Sequence, residues 1–339
     1  MTIASEITKL NTNLTNSYTA CQSKGATMPV NQNFDNLATC IDSIQTGSSF
    51  TGINREVVNG VYKPPATSFT WSLPSTATDM SGYAMYAAFH SCTGLTGTLG
   101  LSSLITISTI SAMNNAFYGC KNITSVDLSS LTTISGSQAM LNAFNNCTGL
   151  TSVDLSSLTT ISGSQAMNQA FLSCTGLTGA LDLSSLTTVS GDRALGSAFN
   201  GCKNITSVDL SNLTTVGANS SAANYGHFSQ CFMRCNNLTS ITFPKLEKIY
   251  CTGSSVGSNG SFANNDKVQK MYFPKLDTIT YGSGANSSNR YACKNVFYGC
   301  SALTELHFAA ANQAAIEASP GYSTAWGRGA GNVTIYFDL

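Results

Sequence analysis

Charge is what this chain of 339 residues has least of: 16 basic and 16 acidic side chains, 9% of the total, with a net charge of zero. So balanced a sequence sets up no global field toward nucleic acid or an anionic membrane, and it has no basic stripe to grip a phosphate backbone. Histidine is nearly absent, standing only at His90, His227 and His307. No two histidines have metal-ligand spacing, and there is no serine elbow or phosphate loop, so nothing supports catalysis. No run approaches the roughly 18–20 apolar residues that span a bilayer. Residues 1–9 lack the basic patch and apolar run of a secretory leader.

What is present is repetition. Residues 116–134 read AFYGCKNITSVDLSSLTTI, residues 143–161 read AFNNCTGLTSVDLSSLTTI, and residues 198–216 read AFNGCKNITSVDLSNLTTV. The phenylalanine recurs at Phe89, Phe117, Phe144, Phe171, Phe199, Phe232, Phe262 and Phe297, first every 27 or 28 residues, then after 33, 30 and 35. The early interval is that of leucine-rich repeats. In Val153-Asp154-Leu155 the period of two points Val and Leu inward and Asp outward, and Leu158 and Ile161 continue the inward set. Residues 138–145 lack Gly and Pro and set Met140, Ala143 and Phe144 at helical spacing, which predicts a short helix. One repeat cannot bury these residues alone, but stacked repeats share a core. The expected fold is an α/β repeat solenoid of about ten parallel-strand rungs, from Trp71 to Phe337, over residues 68–339.

The repeated Ala-Phe-x-x-Cys-x-x-Leu-Thr-x-Val resembles the BspA-type leucine-rich repeat of bacterial surface proteins. Residues 243–249 (FPKLEKI) and 273–279 (FPKLDTI) match its Pro-containing variant. The resemblance covers roughly 68–310, with Asp266 standing where Cys is expected. It implies a fold and leaves function open. Within residues 1–47, the runs 1–10, 24–29, 35–38 and 41–44 resemble an N-terminal module of phage and prophage tail and fibre proteins. Residues 326–338 similarly resemble the end of phage-encoded repeat proteins.

From its own residues the N-terminal module reads as two helices. Ile3, Ile7, Leu10, Leu14, Tyr18 and Cys21 form a stripe close to a heptad, and Gly25 is a helix stop. A second helix is expected over 34–44, with Leu37, Ile41 and Ile44 as its stripe. Two readings stand side by side: an intramolecular hairpin, or an assembly segment using Ile3, Ile7, Leu10, Leu14 and Tyr18 that allows a homo-oligomer such as a trimer. Residues 48–67 read as a connector with Asn59-Gly60 as a hairpin signal.

Seven of the 12 cysteines occupy one repeat position: Cys92, Cys120, Cys147, Cys174, Cys202, Cys235 and Cys300. Stacked parallel side chains do not suit disulfide geometry, so free buried thiols are expected. Cys231 and Cys235 stand four apart but lack the further ligands that zinc needs. The outward residue of each strand should form a column: Thr70, Gly100, Asp127, Asp154, Asp182, Asp209, Thr242, Tyr272, His307 and Tyr336. Water and neighbouring serines can screen the four aspartates, or Asp127, Asp154, Asp182 and Asp209 can hold a cation such as calcium. No other cofactor is expected.

The last third differs. Residues 231–339 hold nine basic residues against six acidic ones, and long Ser-, Asn-, Gly- and Tyr-rich connections run over 217–230, 252–261 and 280–290. Such insertions map to one face, often the binding face. The contact candidates are Tyr225, His227, Tyr250, Tyr272, Tyr281, Arg290, Tyr291 and His307. His90 reads as structural. The function expected is a phage or prophage tail-associated binding protein. It would be joined to other tail proteins through the N-terminal module and would recognise a host-surface glycan or protein. The alternatives are a bacterial cell-surface adhesin and a purely architectural virion component.

Overall fold

A computed structural model of the chain describes residues 49–50, 57–58, 61–62, 70–73, 75, 77–218, 226–251, 262–281, 296–320, 322, 326 and 333–339. The N-terminal helices expected over 1–47 lie outside the described residues.

The repeats coil into a solenoid of parallel strands, each full turn carrying a longer strand, a short strand and a ribbon of turns. The longer strands are Gly97–Gly100, Ile123–Asp127 and Ser152–Asp154 in one sheet, then Thr178–Asp182, Asn204–Asp209, Ser240–Thr242, Lys270–Phe273, Glu305–Phe308 and Thr334–Phe337 in the next. The short strands, from Thr106–Ile107 to Thr278–Tyr281, form a seven-stranded parallel sheet. Seven turns therefore carry both strands, and the remaining rungs are partial. Ahead of them, Asp79–Met80 pairs in parallel with Ser49–Phe50. Val57–Val58 and Val61–Tyr62 form the antiparallel hairpin signalled by Asn59-Gly60.

The first rung corrects the expected column by two residues. Ser72, not Thr70, pairs with Gly100. A shift of two keeps the same face of a strand outward, so the pattern alone could not distinguish them.

The expected α-helix in each repeat is not formed. Among the described residues helical geometry is confined to the 3-10 turn Ala310–Asn312, the helix Gln313–Glu317, and Tyr322 and Trp326, also in 3-10 geometry. Residues 138–147 instead make a chain of turns with a left-handed residue at every fourth place: Gln138 at φ 55°, Asn142 at 55° and Asn146 at 61°. Within the ribbon alternate amides close i to i−3 turns, as Cys147 N does on Phe144 O. The others bond the next rung: Phe117 N reaches Ala143 O at 2.7 Å, and Phe144 N reaches Ala170 O at 2.7 Å. Met140, Ala143, Phe144 and Cys147 all point inward and are fully buried.

Phenylalanines fill the core as a face-to-face column, Phe89, Phe117, Phe144, Phe171, Phe199 and Phe232, with centroids 5.1–5.8 Å apart. The column then changes member, because Phe262 stacks on Phe228 at 5.3 Å. Phe262 nonetheless keeps the repeat position: Lys270, eight residues on, pairs with Ser240, eight residues after Phe232, and Phe262 O accepts from Cys300 Sγ as Phe199 O does from Cys235 Sγ. The residue at the missing cysteine is corrected: three places after Phe262 stands Asn265, not Asp266. Asn265 is buried and accepts from Phe232 N at 3.1 Å, and Asp266 accepts from Arg234 N at 2.9 Å. Side-chain oxygens thus stand in for carbonyls that the altered spacing moves away.

The 28-residue repeats differ from the 27-residue ones by one residue in the long strand. The pairing shifts register at Gly97/Thr98 and at Gly179/Ala180. Gly97 and Gly179 take φ of 76° and 77°, which glycine adopts without strain.

Candidate functional site

The long strands present one outward column. Its register runs Gly100, Asp127, Asp154 across the first sheet and Asp182, Asp209, Thr242, Tyr272, His307, Tyr336 across the second. Each aspartate is tied back to its own chain. Ser129, Ser156, Ser184 and Ser211 donate their backbone N–H to Asp127, Asp154, Asp182 and Asp209 at 3.1, 3.0, 2.9 and 2.9 Å. These are turns closed by an aspartate side chain. They explain why Asp precedes Leu-Ser in every regular copy without invoking a cation. Among the described residues no three His, Cys, Asp or Glu side chains converge as a metal cage.

Ser152–Asp154 and Thr178–Asp182 do not pair as neighbours in the ladder, since the two sheets part there. Over this junction lies an open groove of about 520 Å³, lined among others by Ser125, Asp127, Ser152, Asp154, Ser156 and Asp182. Beneath it Val153 is half-buried, whereas Val126 and Val208 in the same inward column are buried.

At the other end of the column the aspartates give way to aromatic rings. Tyr272, His307 and Tyr336 stack with centroids 4.7 Å apart at each step. The imidazole lies between two carboxylates. Nδ1 contacts Asp338 at 2.9 Å, Nε2 contacts Glu305 at 3.0 Å, and Lys270 reaches the same glutamate at 2.8 Å. Burial disfavours charge on His307, but the hydrogen bonds and charges of Asp338 and Glu305 outweigh it, so its pKa is raised. The Lys270 ammonium and then His307 hold Glu305 below its ordinary value. The result is a row of alternating charges binding the last strand to the sheet. Tyr336 stays exposed, and Tyr272 is half-buried.

The other sequence candidates scatter. His227 belongs to the core, not to an exposed loop. It is fully buried, with Nδ1 2.7 Å from Gly191 O. Burial lowers its pKa to about 4, opposed in part by the hydrogen bond with Gly191, so the ring is neutral at pH 7. Tyr250 lies half-buried in Lys248–Cys251, and Tyr281 ends Thr278–Tyr281. These short strands form a different face from the Tyr272 column. Tyr225, Arg290 and Tyr291 lie outside the described residues, as do Ile3, Ile7, Leu10, Leu14 and Tyr18. His90 is exposed and stacks on Tyr118 at 4.7 Å.

The repeat thiols are chemically quiet. Cys92, Cys120, Cys147, Cys174, Cys202, Cys235 and Cys300 are free and buried. From Cys120 onward their Sγ–H groups donate to carbonyls of the preceding rung, as Cys147 does to Phe117 O at 3.0 Å and Cys174 to Phe144 O at 3.0 Å. Burial pushes the Cys120 and Cys235 pKa values up to about 12 and raises Cys147, Cys174 and Cys202 well above the ordinary thiol value. A protonated thiol is not a nucleophile.

One polar notch was not anticipated from the sequence. It lies on the turn ribbon beside Gly226 and is lined by Asn168, Gln169, Arg193, Gly196, Ser197 and Gln230 among others. The hydrogen-bonded column Asn114, Leu141, Asn168, Gly196, Ser229 loses its side chain at Gly196.

The family profile of the BspA type leucine-rich repeat region matches in six copies over residues 71–225, 142–289 and 197–319. The chain belongs to the BspA type leucine-rich repeat family. Among solved structures it is similar to a leucine-rich repeat protein of Bacteroides ovatus, with 18% identity, 77% of this chain and 63% of that one covered, and a TM-score of 0.36. This chain thus spans less than two thirds of that protein. A T. pallidum leucine-rich repeat protein shares 18% identity over 70% of this chain and 86% of its own, with a TM-score of 0.29. A leucine-rich cell surface protein of Faecalibacterium prausnitzii shares 15% over 81% and 91%, with a TM-score of 0.23. No curated protein matches. A BspA type solenoid is an architecture of binding and scaffolding. Among the described residues no helix is long and apolar enough to cross a membrane.

Proposed function

We propose that this chain is a binding protein carried on a surface, and that its outward strand column contacts a glycan or protein of a host cell. The supporting observation is the contrast between interior and face. Repeat thiols and His227 are buried, whereas the strand face runs from carboxylates beside a groove at the sheet junction, through Thr242, to stacked aromatic rings. Extended faces of this kind are what stacked repeats offer a partner. The resemblance of residues 1–47 to phage tail modules favours a virion as the surface, with those residues joining other tail proteins. A second reading, a bacterial cell-surface adhesin, is favoured by the family match itself.

Two experiments test this. Purified full-length protein offered to intact bacteria should adhere, and Tyr336→Ala combined with Tyr272→Ala should weaken adhesion at least tenfold with the thermal melt intact. Adhesion unchanged by these substitutions would remove the strand face from the role. Immunogold electron microscopy then separates the carriers: label on tail structures supports the virion, and label on cell envelopes supports the adhesin.

A further inference from the structure

We infer that the notch around Gly196 on the turn ribbon is a binding site for a single neutral sugar unit, independent of the strand face. The notch measures about 200 Å³, the room of roughly six or seven waters at liquid density. That is a space for one hexose ring and not for an extended peptide. Its chemistry is that of amides. Asn168, Gln169 and Gln230 line it together with the Ser197 hydroxyl, all of them half-buried. Each amide both donates and accepts, as does each sugar hydroxyl. The Asn168 and Gln169 side chains make no hydrogen bond to other described residues, so two donor–acceptor pairs are left for a ligand. Gln230 makes only a long contact, 3.5 Å, to Ser197.

The amides are held in place by the backbone. Gln169, Ser197 and Gln230 sit at left-handed positions of three successive rungs, at φ 56°, 53° and 58°. Rung-to-rung bonds fix them, with Gln169 N on Gly196 O at 2.9 Å and Ser197 N on Ser229 O at 2.8 Å. The opening is made by Gly196, where the two preceding rungs carry Leu141 and Asn168 and the following one Ser229. A Cβ at Gly196 would come within 3.1 Å of Asn168 Nδ2, so even a small side chain there displaces the amide. No carboxylate lines the notch, and its one cation, Arg193, already takes part in another interaction within the chain. A neutral ligand therefore fits better than a charged one.

The test uses the full chain and saturation-transfer NMR with the methyl glycosides of glucose, galactose and N-acetylglucosamine, with glucuronate as the charged comparison. At least one neutral glycoside should bind with a millimolar dissociation constant. Gly196→Leu, which restores the side chain found at Leu141, should abolish the signal. Asn168→Ala should weaken binding about tenfold, and both variants should melt as the parent does. No transfer to any neutral glycoside at tens of millimolar, binding unchanged in both variants, or tighter binding of glucuronate would each overturn the assignment. Failure of whole-cell adhesion would leave these expectations untouched, since they concern a different face.

Discussion

Gly163 shows how tightly the rungs approach one another. A Cβ there would lie 2.1 Å from Gly136 O, and the same collision recurs at Gly136 against Thr109 O and at Gly191 against Gly163 O. The obstacle is backbone, which cannot swing aside as a side chain can. Gly163→Ala should therefore cost about 3 kcal/mol of stability, read from a denaturant melt, and a loss below measurement error would refute the close approach. Asp154 makes the opposite kind of prediction. Its role in the turn is that of an acceptor, so Asp154→Asn should leave stability nearly unchanged. Asp154→Ala should lose about 1 kcal/mol. His227 adds a pH dependence. Its folded pKa of about 4 lies below the ordinary 6.5, so the unfolded chain takes up a proton first as pH falls. Stability should decline from about pH 6.5 down to pH 4 by about 3 kcal/mol from this residue and then level off. His227→Leu should lack that part of the acid decline, and an identical decline in the variant would show that the ring is not neutral and buried.

At the scale of elements the last strand, Thr334–Phe337, is the least embedded, with an alternating exposed and half-buried pattern. Charges supplement its packing. The raised pKa of His307 means that its interactions with Asp338 and Glu305 are fully present below the imidazole's ordinary pKa and fade as pH rises through the raised value. Glu305, held low, is ionised above its ordinary value and fails only in acid. The strand should be best held between those limits. Hydrogen exchange at 334–337 should quicken, after correction for the intrinsic rate, as pH rises through the His307 titration. In Asp338→Asn that step should shrink. A pH-independent protection factor would contradict the latch.

Much of this scale was legible in the sequence. Inward Leu158 and Ile161, outward Asp154 and the thiol column all follow from periodicity and repeat spacing. The turn ribbon did not follow. Its inward residues recur every four positions, and over two turns this is indistinguishable from the helical 3.6. The distinguishing signal was the Gln, Asn, Ser or Gly at most of the fourth places, such as Gln138, Asn142 and Asn146, residues among which Asn and Gly tolerate a left-handed backbone. Likewise the 28-residue repeats announced their bulges at Gly97 and Gly179 through one surplus residue.

For the whole molecule, family and fold were readable because a periodic core leaves its mark in every copy. The sites were less readable because they arise where the period fails. The groove opens where the two sheets part beside Gly179, the notch opens at a missing side chain, and the aromatic stack begins where aspartate stops. The candidates Tyr272 and His307 came together, with Tyr336 of the outward column beside them, because they share one strand register. His227 did not join them, because the segment following the insertion turns it into the core. The proposed working surface is the outward strand column, and hydroxyl-radical footprinting of the full-length protein bound to intact host cells tests that proposal most directly. Protection should run along that column, over Asp127, Asp154 and Asp182 and across Tyr272 and Tyr336. Bound protein with no protection anywhere on the column would contradict it.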